Sequence, residues 1–242
     1  MAKVNGLNVR LYVEGYDLSG DANALSGLGY TNELLDVTTL DVSAKKRIVG
    51  LVDSEMSFEA WFDNASNQQH SVWSSNSGKI PTADQDVLIP MGSSVGDQFV
   101  GLIAKQSSYN ISRAPGSAIS ASAAFSANGS AAEFGEMLTA LDDTHSSASS
   151  GTVVDSGASS SNGGSGYLQL LSLDSGSVTV NLQESTSSSG SYTNFMTFST
   201  VAAAGAPTAE RLTMEGTVQR YIKVTTTGTF SNAKIALGFS RS

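Results

Sequence analysis

The stretch SAKKRIVGLVDSEMSFEAWFD, residues 43–63, decides how this chain folds. From residue 55 onward, apolar side chains alternate with polar or exposed ones, which is the period of a β-strand with one buried face. The apolar set is Met56, Phe58, Ala60 and Phe62; the other set is Glu55, Ser57, Glu59, Trp61 and Asp63. The pattern therefore predicts a strand whose outward side is acidic at Glu55, Glu59 and Asp63. The basic triplet Lys45-Lys46-Arg47 comes just before it.

The same alternation recurs along the chain and predicts a mainly β fold. Before residue 143 the predicted strands include VRLYV, DVLIPM, DQFVGLIAKQ and SAISASAAFSA. After residue 166 there are six more: YLQLLSL, SVTVNLQES, YTNFMTFST, ERLTMEG, RYIKVTTTG and AKIALGFS. Two short helices are predicted, one within 66–75 and one that begins with a capping box at Ser130 and Glu133 and continues to Leu141.

Composition changes sharply after Asp143. Residues 144–166 are dominated by Ser and Gly, a composition that buries little apolar surface and is typical of a flexible linker or long loop. We therefore expect a β domain over 1–143, a linker or loop over 144–166, and a C-terminal antiparallel β-sandwich over 167–242. Alternatively, the last segment completes the first sandwich and 144–166 is a surface loop.

Charge and composition exclude several functions. The net charge is -9. All of the acidic excess lies in residues 1–143, which disfavours binding to nucleic acid or to anionic lipid. The chain has no cysteine, which excludes thiol chemistry and cysteine-ligated metals. Residues 1–6 lack the apolar run of a secretion signal, and no apolar run is long enough to span a membrane, so we expect no membrane partner.

No motif predicts an enzyme. Residues 92–96 fit the pattern G-x-S-x-G, which would make Ser94 a nucleophile only on a strand-to-helix turn with a histidine in reach. Here the motif joins two predicted strands, and the only later histidine, His145, falls in the predicted linker, so we interpret it as a turn. His70 has no second histidine at helical spacing, and no metal site or cofactor is predicted.

Two features allow an interaction role. Lys45, Lys46 and Arg47 form either a solvated loop or a contact loop that meets the acidic face of an identical neighbour, an arrangement that builds rings or filaments. Trp61 is either a partly exposed strand residue or an anchor at a subunit interface, where tryptophan is enriched.

Three stretches resemble the major tail tube proteins of long-tailed, siphovirus-like bacteriophages. They are VRLYVEGYDLSGDANAL (9–25), ELLDVTTLDVSAKKRIVGLVDSEMSFEAWFD (33–63) and RYIKVTTTGTFSNAKIALGFSRS (220–242). The resemblance implies a virion structural protein that forms hexameric rings, stacked into a hollow tube through which DNA leaves the virion without specific binding. It implies assembly in the host cytoplasm, and partners that are other copies of the chain and further tail proteins: the tape measure, the tail terminator and the distal tail protein.

The same resemblance assigns roles to residues. A long loop at about 38–53, with Lys45, Lys46 and Arg47 near its tip, would reach the adjacent ring. Glu55, Glu59 and Asp63 would face the lumen, where negative charge repels the DNA backbone. The alternative is a surface module of a virion that decorates the capsid or binds glycan through the C-terminal sandwich.

Overall fold

The structure, a computed structural model, describes residues 9–75 and 78–242. The prediction made for residues 1–6 lies outside this part. Up to residue 137 the elements are β1 (Tyr12–Val13), β2 (Tyr16–Asp17), β3 (Ala22–Ser26), β4 (Thr31–Asp36), β5 (Arg47–Asp53), β6 (Glu55–Trp61), α1 (Gln69–Trp73), β7 (Gln85–Pro90), β8 (Gln98–Ser112), β9 (Ser120–Ala127) and β10 (Glu133–Met137).

The remaining elements are again almost all strands. They are β11 (Thr144–His145), β12 (Ser149–Ser150), β13 (Val154–Asp155), β14 (Gly164–Ser185), β15 (Thr193–Thr197), β16 (Val201–Ala202), a 3₁₀ turn (Ala203–Gly205), β17 (Thr208–Met214) and β18 (Tyr221–Arg241). The predicted fold class, mainly β, is confirmed. Among the described residues, no helix has the length and apolar character needed to cross a bilayer.

One curled antiparallel sheet forks at β8. Along one edge β8 pairs with β7, which is followed by β1 and β2. Along the other edge its first residues pair with β10 and its later ones with β9. From β9 the sheet continues to β6 and β3, and from β10 it continues to β18 and β14. The long strand β8 therefore belongs to both branches.

Each branch has its own apolar core. The first core packs Phe58 and Phe125 of the β6–β9 branch against Trp73 of α1, together with apolar residues of β1, β7 and β8. The second lies between β14, β18 and the strands that flank them. A smaller cluster joins them where Tyr12 and Tyr167 are buried. The two cores are consistent with two β units, and a boundary at residue 143 remains our proposal.

In the C-terminal half, six predicted segments become four strands. YLQLLSL and SVTVNLQES are parts of β14, and RYIKVTTTG and AKIALGFS are parts of β18. Gly176, between the first two segments, and Gly228, at the end of RYIKVTTTG, adopt positive φ of 79° and 112°. The β14–β18 pairing continues across both. Glycine at these positions permits the unusual backbone without ending the strand.

The helix predicted from the capping box is wrong, because residues 133–137 form β10 instead. Gly135 lies where the backbones of β8 and β18 approach β10 on both sides, and a Cβ there would come within 2.6 Å of the Phe99 ring. Pairing on two edges overrides the local helix signal. The other predicted helix is confirmed as α1, within 66–75.

Residues 144–166, predicted as a flexible linker or a long loop, contain short paired segments. The three short strands, β11, β12 and β13, each pair with β18, and β14 already begins at Gly164. The Ser and Gly residues that lack apolar side chains still have backbone donors and acceptors, and these hydrogen-bond to the edge of a long strand.

Candidate assembly surfaces

The β6 strand has the predicted alternation. Met56, Phe58 and Ala60 are buried, while Glu55, Ser57, Glu59 and Trp61 are exposed. Their cross-strand partners on β9 are Ser126, Ala124, Ser122 and Ser120 in that order. We call this set of eight residues the acidic face. It combines two carboxylates with small side chains, most of them hydroxyls, and one tryptophan.

The sheet that carries the acidic face has two open edges. In the described ranges, β3 pairs only with β6, and residues 106–112 of β8 pair only with β9. Beside β3 runs a cleft of about 320 Å³ with an apolar lining that includes Val9, Leu11, Leu25, Leu28 and Met91. Unpaired edge strands are templates for pairing with another chain.

Asp63 does not continue the row of Glu55 and Glu59. β6 ends at Trp61, and the Asp63 carboxylate accepts the amide of Ala65 at 2.8 Å in the turn before α1. The backbone carbonyl of Asp21 accepts the amide of Trp61, so a second carboxylate lies at this end of the strand.

Asp21 and Asp63 are close enough to influence each other. Burial raises the pKa of Asp21 and the negative charge of Asp63 raises it further, while the hydrogen bond from the Gln69 amide at 3.1 Å opposes both. Three exposed apolar side chains lie at the same end of the sheet. We call the group the far rim: Asp21, Trp61, Asp63, Ile111 and Ile119.

The β4–β5 pair forms a separate two-stranded sheet, which we call the projecting hairpin (residues 31–53). Within 9–75 and 78–242 it pairs with no other strand. Leu34 lies opposite Val49 and Leu35 opposite Ile48, so adjacent cross-strand pairs place apolar groups on both faces. The exposed apolar residues are Leu34, Leu35, Val37, Leu40, Ile48, Val49, Leu51 and Val52.

The basic triplet lies at the end of this hairpin. Lys45 and Lys46 are in the connection between β4 and β5, and Arg47 is the first residue of β5. Lys45 Nζ is 3.4 Å from Asp36 Oδ2. The pKa of Asp36 is lowered, first by the Thr38 hydroxyl and amide and then by Lys45. In the described part of the chain, Lys46 and Arg47 form no ion pair.

Ser94 and His145 are the two residues that the G-x-S-x-G motif would require for catalysis. Ser94 lies in the loop between β7 and β8, as its flanking strands predicted, and its amide donates to Asp97. His145, which sequence analysis placed in a linker, is buried on β11. Its Nδ1 is 2.5 Å from Ser149 Oγ, and its Nε2 is 3.4 Å from Asp143.

The spacing of Asp143, His145 and Ser149 in the sequence did not predict that their side chains would be close. The Ser149 amide donates to Thr226 Oγ1 at 3.1 Å. Ser149 therefore connects its loop to β18, on which Thr226 lies.

No family model and no curated protein sequence matches this chain. Among solved structures, a chain from the virion of a native gene transfer agent particle has a TM-score of 0.40 at 18% identity, covering 55% of this chain and 98% of that chain. The tube-terminating cap of the anti-feeding prophage has a TM-score of 0.44 at 9% identity, covering 56% and 93%. The Dit protein of phage SPP1 has a TM-score of 0.36 at 9% identity, covering 96% and 99%. At these TM-scores, no functional conclusion follows from the likeness.

Proposed function

We propose that this chain is a structural protein of a virion tail. Copies join edge to edge into hexameric rings, and the rings stack into a tube whose bore is lined by the acidic face. The observation that carries this proposal is the sheet β3–β6–β9–β8. Among residues 9–75 and 78–242 it has an open edge on each side, one buried face and one hydrophilic face.

Closing a ring would give hydrogen-bond partners to both open edges of the sheet, β3 and residues 106–112 of β8. When β3 of one copy pairs with residues 106–112 of the next, each copy contributes four strands to a continuous barrel, and closure removes exposed edges. Six copies give about 24 strands, and at about 4.8 Å per strand the wall measures about 115 Å around and about 37 Å across. Barrels of 16–18 strands already enclose an aqueous channel.

The lining suits passage of DNA. Glu55 and Glu59 are exposed in the middle of the sheet, and their neighbours are mostly serines. Negative side chains cannot displace the small cations that surround DNA. The lining therefore lacks the counterion release that drives most protein–DNA binding. DNA would therefore pass along such a bore without specific binding.

Stacking of rings would cover the projecting hairpin. A two-stranded hairpin is marginally stable by itself, and apolar groups on both of its faces favour burial against another molecule. The partners would be a further ring along the tube and, at the tube ends, other tail proteins.

Electron microscopy of the purified full chain tests the proposal. We expect hollow tubes for the natural chain, and closed rings or short stacks for the variant Val49→Ser with Leu51→Ser, whose side chains are exposed in the monomer. The control Ile80→Ser, an exposed apolar residue outside the hairpin, should form tubes of normal length. Particles that remain monomeric at high concentration would contradict the proposal.

A further inference from the structure

We propose that the far rim of one copy receives the projecting hairpin of a copy in the next ring. This assignment rests on the proposed tube, and it names the surface that the hairpin binds. The partner is a second copy of this chain, bound head to tail through apolar contact and opposite charge.

The projecting hairpin and the far rim lie at opposite ends of β6. β3 and β6 pair antiparallel, with Ser26 opposite Ser57, and the chain between them forms the hairpin. The hairpin therefore leaves the sheet at the Glu55 end of β6, whereas the far rim lies at its Trp61 end. Seven strand residues separate the ends by about 20 Å. Repeating the molecule along β6 brings the hairpin of one copy to the rim of the next, which is a heterologous contact.

The apolar surfaces match in character. Trp61 is 52% exposed, Ile111 49% and Ile119 37%. They lie at one end of the sheet on both of its faces. Trp61 pairs with Ser120 and shares its face, whereas Ile119, the residue before Ser120, and Ile111, which pairs with Ala121, lie on the opposite face. On the hairpin, Leu40 at the tip is fully exposed. Tryptophan is enriched at interface centres, and the buried centre of an interface is more apolar than the rest of a protein surface.

The charges of the two surfaces are opposite in sign. Asp21 and Asp63 of the far rim form no salt bridge in the part of the chain that the structure describes, and neither do Lys46 and Arg47 of the hairpin. Opposite unpaired charges on two surfaces favour tip-to-rim contact and oppose tip-to-tip contact, so they set the direction of stacking.

Disulfide trapping tests the contact directly, since the chain has no cysteine of its own. We expect the double variant Leu40→Cys with Ile119→Cys to give, after oxidation of assembled tubes, a ladder of covalently linked chains on a non-reducing gel. Each single variant should give no species beyond a dimer. The control pair Leu40→Cys with Ser188→Cys, the latter exposed on the C-terminal unit, should give no ladder.

The outcomes separate the two proposals. Tubes that form normally but yield no ladder overturn the far rim as the receiving surface and leave the tube itself standing. A natural chain that forms no tubes overturns the proposed function, and the rim assignment with it.

A charge exchange tests the electrostatic part. Lys46→Glu alone and Asp63→Lys alone should shorten tubes, and the double variant should restore their length. Because Asp63→Lys also removes the acceptor of the Ala65 amide, the melting temperature of each unassembled variant is measured alongside. Double-variant tubes no longer than those of the single variants, with melting unchanged, would contradict the charge pairing.

Discussion

Asp86 shows how a single buried residue makes stability depend on pH. It is 5% exposed, and in the described structure its Oδ1 accepts no hydrogen bond. Its amide donates to Glu14 Oε1 at 2.5 Å, which keeps a second carboxyl close. Burial raises the pKa of Asp86 well above its usual value, the charges of Glu14 and Glu210 act in the same direction, and Arg211 opposes them. Burial also raises the pKa of Glu14.

The sign of the effect follows from linkage. In the unfolded chain Asp86 loses its proton near pH 4, while in the fold it keeps the proton to higher pH, so stability falls as pH rises between the two values. We expect Asp86→Asn to raise the free energy of unfolding by about 1–3 kcal/mol at pH 8 and to flatten its decline above pH 4. Urea denaturation of the unassembled chain at several pH values measures this.

The matched control is Asp84→Asn, two residues away. Asp84 is exposed, and the hydrogen bond from Lys105 lowers its pKa, so the substitution should leave the pH dependence above pH 5 unchanged. A pH profile of Asp86→Asn identical to that of the natural chain would show that Asp86 is ionised in the fold.

At the scale of elements, the sequence predicted the strand β6, which has one solvent-exposed face. It did not predict the strand β10, which is paired on both edges. β6 alternates strictly because one side packs on a core and the other meets solvent. β10 follows a good capping sequence and has apolar residues at helical spacing, yet β8 and β18 take both of its backbone edges. That competition involves residues about 30 and 100 positions away, and no local pattern encodes it.

The sequence likewise predicted some features of the candidate surfaces and missed others. The exposure of Glu55, Glu59 and Trp61 followed from alternation. Lys45 and Lys46 lie in a loop, as both interpretations of the basic triplet assumed. The far rim could not be predicted, because only the β6–β9–β8 pairing brings Ile111 and Ile119 to the end of the sheet where Trp61 lies.

Gly135 provides a test of the β10 packing. A methyl group at this position would press on the Phe99 ring and on the backbone of β18, so we expect Gly135→Ala to lower the free energy of unfolding by about 2–3 kcal/mol. Gly20→Ala, where no described residue lies within 4 Å of the added methyl group, should change it little. Thermal or urea unfolding compares the two. Equal stability of both variants would mean that β10 does not lie between β8 and β18, whereas a helix at 133–141 would gain from the alanine.

For the whole molecule, charge is distributed unevenly between the two proposed units. The acidic excess belongs to residues 1–143, which supply the open-edged sheet and the projecting hairpin, whereas residues 144–242 have balanced charge. Repulsion within a ring of acidic subunits is tolerable when the carboxylates face a wide aqueous bore, because charges separated by more than about 10 Å are largely screened at moderate salt. An acidic excess confined to residues 1–143 is therefore expected if this unit lines a bore. It is not expected if the unit is a module on the outer surface.

Reversing the charge of the acidic face tests this arrangement in the assembled state. The variant Glu55→Lys with Glu59→Lys should still form tubes, since both side chains are exposed and neither forms a salt bridge within the described residues. Tubes assembled with short duplex DNA should then retain DNA that nuclease cannot digest, and raising salt should release it steeply because each subunit now offers two cations to phosphate. The control Asp174→Lys with Glu215→Lys makes the same change of net charge at exposed positions of the C-terminal unit. Any DNA that it attracts should remain open to nuclease. Protection by the control but not by the Glu55 and Glu59 variant would place the acidic face outside the bore.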